Sequence, residues 1–180
     1  HSFPTRRSSD LVSLADQIEA YVTALIDFAQ GSGIPTKHTV LLGGEHGTGK
    51  TLELARLQRM AVENGVTYVL IKSADNLISA LDWIRKVEPA VAVCEDIDSV
   101  VKGERDIEMN ELLEAIDGIK AKGRRLQLVL TTNFPEAIHP GFIRTGRIDA
   151  YIPVTAPDGE AVQRLIVQYG RGLIDPNEDL

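Results

Sequence analysis

The chain has 180 residues, of which 43% are hydrophobic and 25% charged, as is ordinary for a globular domain with its own core. The formal net charge of −7 argues against a broad nucleic-acid-binding surface, although not against a local one. A single cysteine, Cys94, excludes an internal disulfide framework, and no run of 18 apolar residues could span a membrane. We therefore expect a reduced, cytoplasmic compartment and no membrane partner.

Residues 1–11 carry no initiator methionine and no helix or strand periodicity. They resemble the translation of a sequencing-adapter oligonucleotide, so we expect a non-native tail and exclude it from the fold. A disordered basic tail is the alternative interpretation. The missing start also leads us to expect a fragment of a longer gene.

Helix and strand patterns then alternate along the chain. Apolar residues recur at helical spacing in 14–29, and Gly31, Gly33 and Pro35 end that segment. The later segments are predicted in this order: strand 39–43, helix 50–63, strand 66–71, helix 74–87, strand 90–94, helix 106–119, strand 126–131, strand 151–154 and helix 160–169. This alternation predicts an α/β fold in which helices cover both faces of a parallel five-stranded sheet.

A glycine-rich loop joins the first of these strands to its helix and spells G-x-x-x-x-G-K-[ST], the pattern of P-loop NTPases. In such a loop, backbone N–H groups form a nest that points at phosphate oxygens. Lys50 would reach the β- and γ-phosphates, Thr51 would ligate Mg²⁺, and the start of helix 50–63 would add its positive dipole end. We assign as nucleotide-binding residues Gly44, Glu45, His46, Gly47, Thr48, Gly49, Lys50, Thr51 and Leu52. An ordinary glycine turn is the alternative.

A second signature is the apolar run 90–94, which ends in the carboxylates Glu95 and Asp96. One carboxylate could support Mg²⁺, which prefers oxygen ligands and keeps waters. The other could orient or deprotonate an attacking water. Ligands of open parallel sheets bind at the carboxyl ends of the strands, where these residues fall. A solvated acidic turn is the alternative interpretation.

Four ordered motifs give the chain its resemblance to the AAA+ ATPases, in particular the classical AAA branch. They are the Gly-Thr-Gly-Lys-Thr ending of the phosphate loop, Leu-Glu-Ala-Ile-Asp-Gly-Ile at 113–119, Thr-Thr-Asn at 131–133 and Pro-Gly-Phe-Ile-Arg-Thr-Gly-Arg-Ile-Asp at 140–149. A Pro-Asp pair at 157–158 resembles the entry to that family's helical lid. The resemblance covers about residues 34–170. It implies an α/β nucleotide-binding domain at 12–155 and the beginning of a truncated lid at 156–180.

The resemblance also implies roles for three residues of these motifs. Asn133 would hydrogen-bond the γ-phosphate or the attacking water. Arg144 and Arg147 would be arginine fingers that reach the nucleotide of a neighbouring subunit, in a ring that is usually a hexamer. The alternative for each arginine is a solvated surface position or a salt bridge to a carboxylate such as Asp149. ATP and Mg²⁺ are the implied cofactors.

Three features depart from the family pattern. Glu95-Asp96 reverses the usual Asp-Glu order, so that Glu95 would face Mg²⁺ and the shorter Asp96 the water, or the two roles could be exchanged. Glu45-His46 replaces Pro-Pro, and the four histidines show no zinc-ligand spacing, so we predict no zinc. Segment 72–77 lacks the aromatic residue of a substrate-gripping pore loop, and we expect Trp83 to pack within its helix.

The sequence therefore predicts Mg-dependent binding and hydrolysis of ATP, coupled through a ring to remodelling of an unknown macromolecule. That substrate could be a folded protein, a complex or a nucleic acid. One alternative is a nucleotide-gated binding or loading module with little hydrolysis. A small-molecule kinase is a more remote one, because the segments at 131–133 and 140–149 argue against it.

Overall fold

The computed structural model describes residues 39–98, 106–121, 124–138 and 147–156, together with residues 20, 23, 24 and 27. Those four isolated positions are helical and belong to the predicted helix 14–29, whose other residues lie outside the described part. The predicted tail 1–11, Arg144 and the lid from 157 onward also lie outside it. The domain boundaries therefore stay predictions.

The core of the fold is a five-stranded sheet in which every neighbouring pair of strands is parallel. Its strands are β1 (Thr39–Gly43), β2 (Thr67–Ile71), β3 (Ala90–Cys94), β4 (Leu126–Thr132) and β5 (Ala150–Pro153). Their spatial order is β2-β3-β4-β1-β5. All residues of β1, β3 and β4 are buried, as expected for strands covered on both faces. The prediction of a parallel five-stranded sheet is confirmed.

Helices cover both faces of this sheet. On one face, α1 (Lys50–Glu63) packs Leu54 and Leu57 against apolar side chains of β1 and β3. On the other, α2 (Leu77–Ile84) and α3 (Asp106–Ala121) contribute to a second apolar cluster. Each fully buried leucine stabilises the fold by about 1.5–3 kcal/mol, so these two layers hold the sheet between them. No helix in the described ranges combines the length and the apolar character that crossing a bilayer requires.

Two details of the region 74–87 differ from the sequence prediction. The continuous helix is wrong: Ser73 accepts a hydrogen bond from the Asp75 amide and caps a short 3₁₀ turn, so α2 begins only at Leu77. The packing of Trp83 is also wrong, because its side chain is 54% exposed. Cys94 is buried in β3 and forms no disulfide.

The strand order places the loop after β1 at the carboxyl ends of the strands, between the ends of β4 and β5. β1 lies between β4 and β5, whereas β2, the next strand in sequence, lies at the far edge beyond β3. Chain connections therefore leave β1 and β3 in different directions, which opens a crevice at the carboxyl ends of the strands.

Candidate functional site

The loop between β1 and α1 is shaped by two glycines with left-handed backbone conformations. Gly47 has φ 79° and Gly49 has φ 99°, values that side-chain-bearing residues adopt at a cost. The Thr48 hydroxyl donates to the Glu45 carbonyl at 2.9 Å and closes the loop on itself. Gly49 caps α1 without a side-chain acceptor, so the first amides of that helix face the loop.

Gly44 fixes the base of the loop by close backbone approach. A Cβ atom at this position would lie 2.1 Å from the carbonyl oxygen of Val154, which leaves no room for a side chain. The Gly44 amide donates to the Thr132 carbonyl at 3.2 Å. The loop is therefore tied to the ends of both strands that flank β1.

Lys50 turns back into the loop from the first residue of α1. It is only 8% exposed, and its Nζ donates to the carbonyl oxygens of Gly44 and, at 2.8 Å, of Glu45. Burial lowers the pKa of this ammonium, while the nearby carboxylates of Asp96 and Asp98 act in the opposite direction. The loop thus holds one nearly buried cation opposite two acidic side chains.

The acidic side of the crevice is a turn that follows β3. Asp96 has φ 54°, in the left-handed region that aspartate tolerates better than most residues. Its amide donates to the Thr131 hydroxyl at 3.0 Å, and the Ile97 amide donates to the Thr131 carbonyl at 3.0 Å. The turn is thereby fastened to the end of β4, and Glu95 and Asp96 both line the crevice.

Asn133 follows β4 and lies between two carboxylates. Its side-chain Nδ2 donates to Asp96 Oδ1 at 2.6 Å and to Asp98 Oδ2 at 3.3 Å. Asp98 Oδ1 also accepts from the Asn133 amide at 3.1 Å and from the Thr132 hydroxyl. Sequence reasoning assigned no role to Asp98, although its spacing two residues after Asp96 was a signal that could have drawn attention to it.

These residues enclose one cavity of about 340 Å³. Its lining combines loop and strand-end residues that lie far apart in sequence: His46, Gly47, Gly49, Lys50, Thr51, Glu95, Asp96, Thr131 and Asn133. Four residues assigned to nucleotide binding do not line it, namely Gly44, Glu45, Thr48 and Leu52. Gly44, Glu45 and Thr48 shape the loop from behind, while Leu52 is 56% exposed.

His46 lines the cavity and contacts Phe134, whereas Arg147 lies outside the cavity lining and contacts Asp117. The ring of His46 meets that of Phe134 edge-on, with centroids 6.1 Å apart, so loop and β4 end also touch through side chains. Arg147 does not line the cavity; its Nε donates to Asp117 Oδ2 on α3 at 2.8 Å. Arg147 therefore forms a salt bridge with Asp117, and its assignment as an arginine finger stays a prediction.

The residues of the cavity fit a magnesium-bound polyphosphate. A loop with left-handed glycines, one cation and a helix start suit phosphate oxygens. In the described ranges, no three His, Cys, Asp or Glu side chains cluster closely enough to hold a metal ion by themselves. Magnesium is commonly held by one or two carboxylates, waters and the phosphates of its own nucleotide, so the short donor set agrees with that ion. Thr51 and Glu95 are the candidates to contact it.

Comparison with known proteins agrees with this reading of the geometry. Residues 40–156 match the family described as "ATPase family associated with various cellular activities (AAA)". A protein of Rhodococcus erythropolis named ATP-dependent zinc metalloprotease FtsH is 33% identical over 84% of this chain and 20% of its own length. ATP-dependent zinc metalloprotease FtsH 1 of Symbiobacterium thermophilum is 29% identical over 87% of this chain and 30% of its own length. The chain thus spans less than a third of these relatives.

Proposed function

The chain belongs to the AAA family of ATPases, and on that premise we propose that its crevice binds Mg·ATP and hydrolyses the bond between the β- and γ-phosphates, releasing ADP and phosphate. One observation carries the proposal: Lys50 of the phosphate loop and the acidic pair Glu95 and Asp96 line the same cavity of about 340 Å³. This reaction needs a cation that binds the phosphates. It also needs carboxylates that bind the metal and act on the water.

The phosphate loop supplies binding and orientation. The amides around Gly47 and Gly49 point at phosphate oxygens, and the start of α1 adds its dipole. Lys50 exchanges its hydrogen bonds to loop carbonyls for bonds to the β- and γ-phosphates. Because Lys50 is already almost buried, it pays little additional desolvation when the nucleotide covers it.

The opposite side supplies the acidic chemistry. Thr51 and Glu95 would hold the magnesium ion, which when bound neutralises charge on the phosphates. Asp96 orients the attacking water and accepts its proton, and Asn133 contacts that water or the γ-phosphate. The assignment of Glu95 and Asp96 remains open to exchange, because the shorter aspartate has less reach than the glutamate usual at its place.

We further propose that full activity needs neighbouring copies of the chain. The segment that contains Arg144 and Arg147 resembles one that supplies arginine fingers across the interfaces of a ring, usually a hexamer. A guanidinium there stabilises charge on the transferring phosphoryl group, an effect of about 10³–10⁵-fold in related NTPases. Arg147 would have to leave Asp117 to act in this way.

The remodelled substrate is a macromolecule of unassigned class. The relatives are named zinc metalloproteases, but H-E-x-x-H, the usual zinc-protease signature, does not occur in these 180 residues. We propose the ATPase activity for this chain, in a domain spanning 12–155 with a lid beginning at 156. A reduced compartment stays an expectation from the single cysteine.

A nucleotide-gated binding module is the second candidate function. It is favoured by one observation: Asp96 Oδ1 already accepts a 2.6 Å hydrogen bond from Asn133, which occupies the carboxylate proposed to act on water. If that bond persists with nucleotide bound, ATP would be held without being cleaved.

Titration with a fluorescent ATP analogue, with magnesium or with a chelator, tests the shared premise. Phosphate release is then followed as the chain concentration is raised. Turnover per chain that rises with concentration supports the ring ATPase, and tight binding without release supports the binding module. A folded chain that binds no Mg·ATP rules out both.

A further inference from the structure

Asp98 is an acidic residue beside the cavity that the proposed mechanism does not use. Its carboxylate receives three hydrogen bonds from Thr132, the last residue of β4, and from Asn133, which follows that strand. Oδ1 accepts from the Thr132 hydroxyl and the Asn133 amide, and Oδ2 accepts from the Asn133 side chain. Both oxygens are therefore committed to one turn, and Asp98 does not line the cavity.

These hydrogen bonds determine which end of the Asn133 side-chain amide, nitrogen or oxygen, faces the carboxylates of Asp96 and Asp98. The Nδ2 group has two hydrogens, and its two acceptors are Asp96 Oδ1 and Asp98 Oδ2. Rotating the amide by half a turn would point its oxygen at two carboxylates, replacing two charge-assisted hydrogen bonds with repulsion. Two acids on one side thus determine the orientation, which a single acid would determine less firmly.

The orientation decides what Asn133 offers the reaction. With its nitrogen committed to the two acids, the group left on the other side of the amide is the carbonyl oxygen, an acceptor. An acceptor repels phosphate oxygens and takes a hydrogen bond from water. Since Asn133 lines the cavity, this chemistry selects the water over the γ-phosphate as its partner.

We propose that Asp98 is a positioning residue that locks the Asn133 amide with its nitrogen toward the acids, so that Asn133 accepts a hydrogen bond from the attacking water. The proposal rests on the proposed function for the identity of that water. Asp98 acts through Asn133 and touches neither nucleotide nor metal. Its removal therefore affects the hydrolytic step and not the phosphate cradle.

The variant Asp98→Asn tests this, because it keeps the size of the side chain and places a donor beside the Asn133 nitrogen. We expect turnover to fall by about 10- to 100-fold, the range usual when a group that orients a contacting residue is removed. The affinity for Mg·ATP should change by less than about twofold, since the loop and Lys50 supply it. In an Asn133→Ala background, Asp98→Asn should cause no further loss. Asp82→Asn, on the exposed side of α2, is the matched control.

A second measurement does not depend on turnover. The side-chain amide protons of Asn133 are followed by NMR in the ¹⁵N-labelled chain and assigned by their loss in Asn133→Ala. In Asp98→Asn their exchange with solvent should accelerate by about tenfold or more, because a charge-assisted hydrogen bond is lost. If that variant does not fold, Thr132→Val, which removes one anchor of Asp98, should accelerate exchange in the same direction, with Thr132→Ser as its control.

Three results would overturn the proposal: unchanged amide exchange, an additive loss of turnover in the Asn133→Ala background, or a loss of ATP affinity as large as that caused by Lys50→Ala. The last would mean that Asp98 acts on the cation of the loop, whose pKa its charge already influences. Failure of the wild-type chain to hydrolyse ATP would instead count against the proposed function. The exchange measurement would then still decide whether Asp98 locks the amide.

Discussion

Arg147 of the segment before β5 donates from Nε to Asp117 Oδ2 near the end of α3, at 2.8 Å. The two side chains are 27% and 48% exposed, so the pair is screened by solvent. A pair of this kind contributes at most about 1 kcal/mol to stability. It can therefore be exchanged for contacts with a neighbouring subunit at little cost.

We predict that Arg147→Ala changes the free energy of unfolding by less than about 1 kcal/mol but lowers concentration-dependent ATP turnover by about 10³-fold or more. Chemical denaturation and phosphate release at several chain concentrations measure the two quantities. Arg85→Ala is the matched control, because Arg85 forms a similar exposed pair with Asp82 at 2.7 Å and directly follows α2. Equal turnover in the two variants would refute the finger assignment.

Lys50→Ala should weaken binding of Mg·ATP by at least about 100-fold, because two or more charge-assisted hydrogen bonds to phosphate are lost. Fluorescent-nucleotide titration gives the affinity. Lys72→Ala, an exposed lysine outside the cavity, should leave it unchanged. Native affinity in Lys50→Ala would remove the phosphate-loop assignment altogether.

Asp96→Asn should retain ATP and slow its hydrolysis by about 10²–10⁴-fold, the usual contribution of a general base. Asparagine accepts the left-handed backbone of this position as aspartate does, so the turn should survive. Glu95→Gln should instead reduce the dependence of binding on magnesium. Single-turnover phosphate release distinguishes the two variants, because only Asp96→Asn should slow the hydrolytic step directly. A native rate in Asp96→Asn would transfer the catalytic role to Glu95.

Gly44→Ala should destabilise the fold by about 1–3 kcal/mol, because the new methyl group would meet the Val154 carbonyl and force the backbone apart. Gly118→Ala is the contrasting variant. The nearest atom to its Cβ would be a flexible Arg85 nitrogen at 3.9 Å, and alanine favours helix by about 1 kcal/mol. Urea denaturation should therefore move in opposite directions for the two variants. A tolerated methyl at Gly44 would contradict the close approach.

Cys94 should make stability fall at alkaline pH. Burial, and to a smaller extent the charges of Asp96 and Glu95, raises the pKa of its thiol from 9.0 to about 12. Between these values the folded chain holds a proton that the unfolded chain has lost, so stability falls as pH rises. From pH 8 to pH 10 we expect the wild type to lose about 1.4 kcal/mol more than Cys94→Ala, measured by urea denaturation. Parallel losses would show a thiol that ionises freely.

The sequence predicted the sheet and α1 because buried strands and one-sided helices repeat with fixed periods. It did not predict the exposure of Trp83 correctly, although the information was present. At 100° per residue, Trp83 lies well away from the face shared by Leu77, Leu81 and Ile84. Proximity of Trp83 to Leu81 and Ile84 along the chain does not place it on their face of the helix.

The site was only partly predictable for a different reason. Motif spacing brought Lys50 and the acidic pair into one prediction, since strand ends of a parallel sheet meet at one edge. The hydrogen bonds that Asn133 donates to Asp98 and Arg147 donates to Asp117 span 35 and 30 residues. Such pairings depend on how the elements pack, and no local periodicity encodes them.

The neighbours of β1 in the sheet have a consequence for biosynthesis. β1 pairs only with β4 and β5, strands made about 90 and 110 residues later, as in Thr39 with Leu128 and Val40 with Ala150. In a nascent chain the phosphate loop is therefore synthesised long before the two strands that flank β1. We expect a chain still on the ribosome to bind no nucleotide until residue 153 has emerged, so ATP capture would mark completion of the sheet.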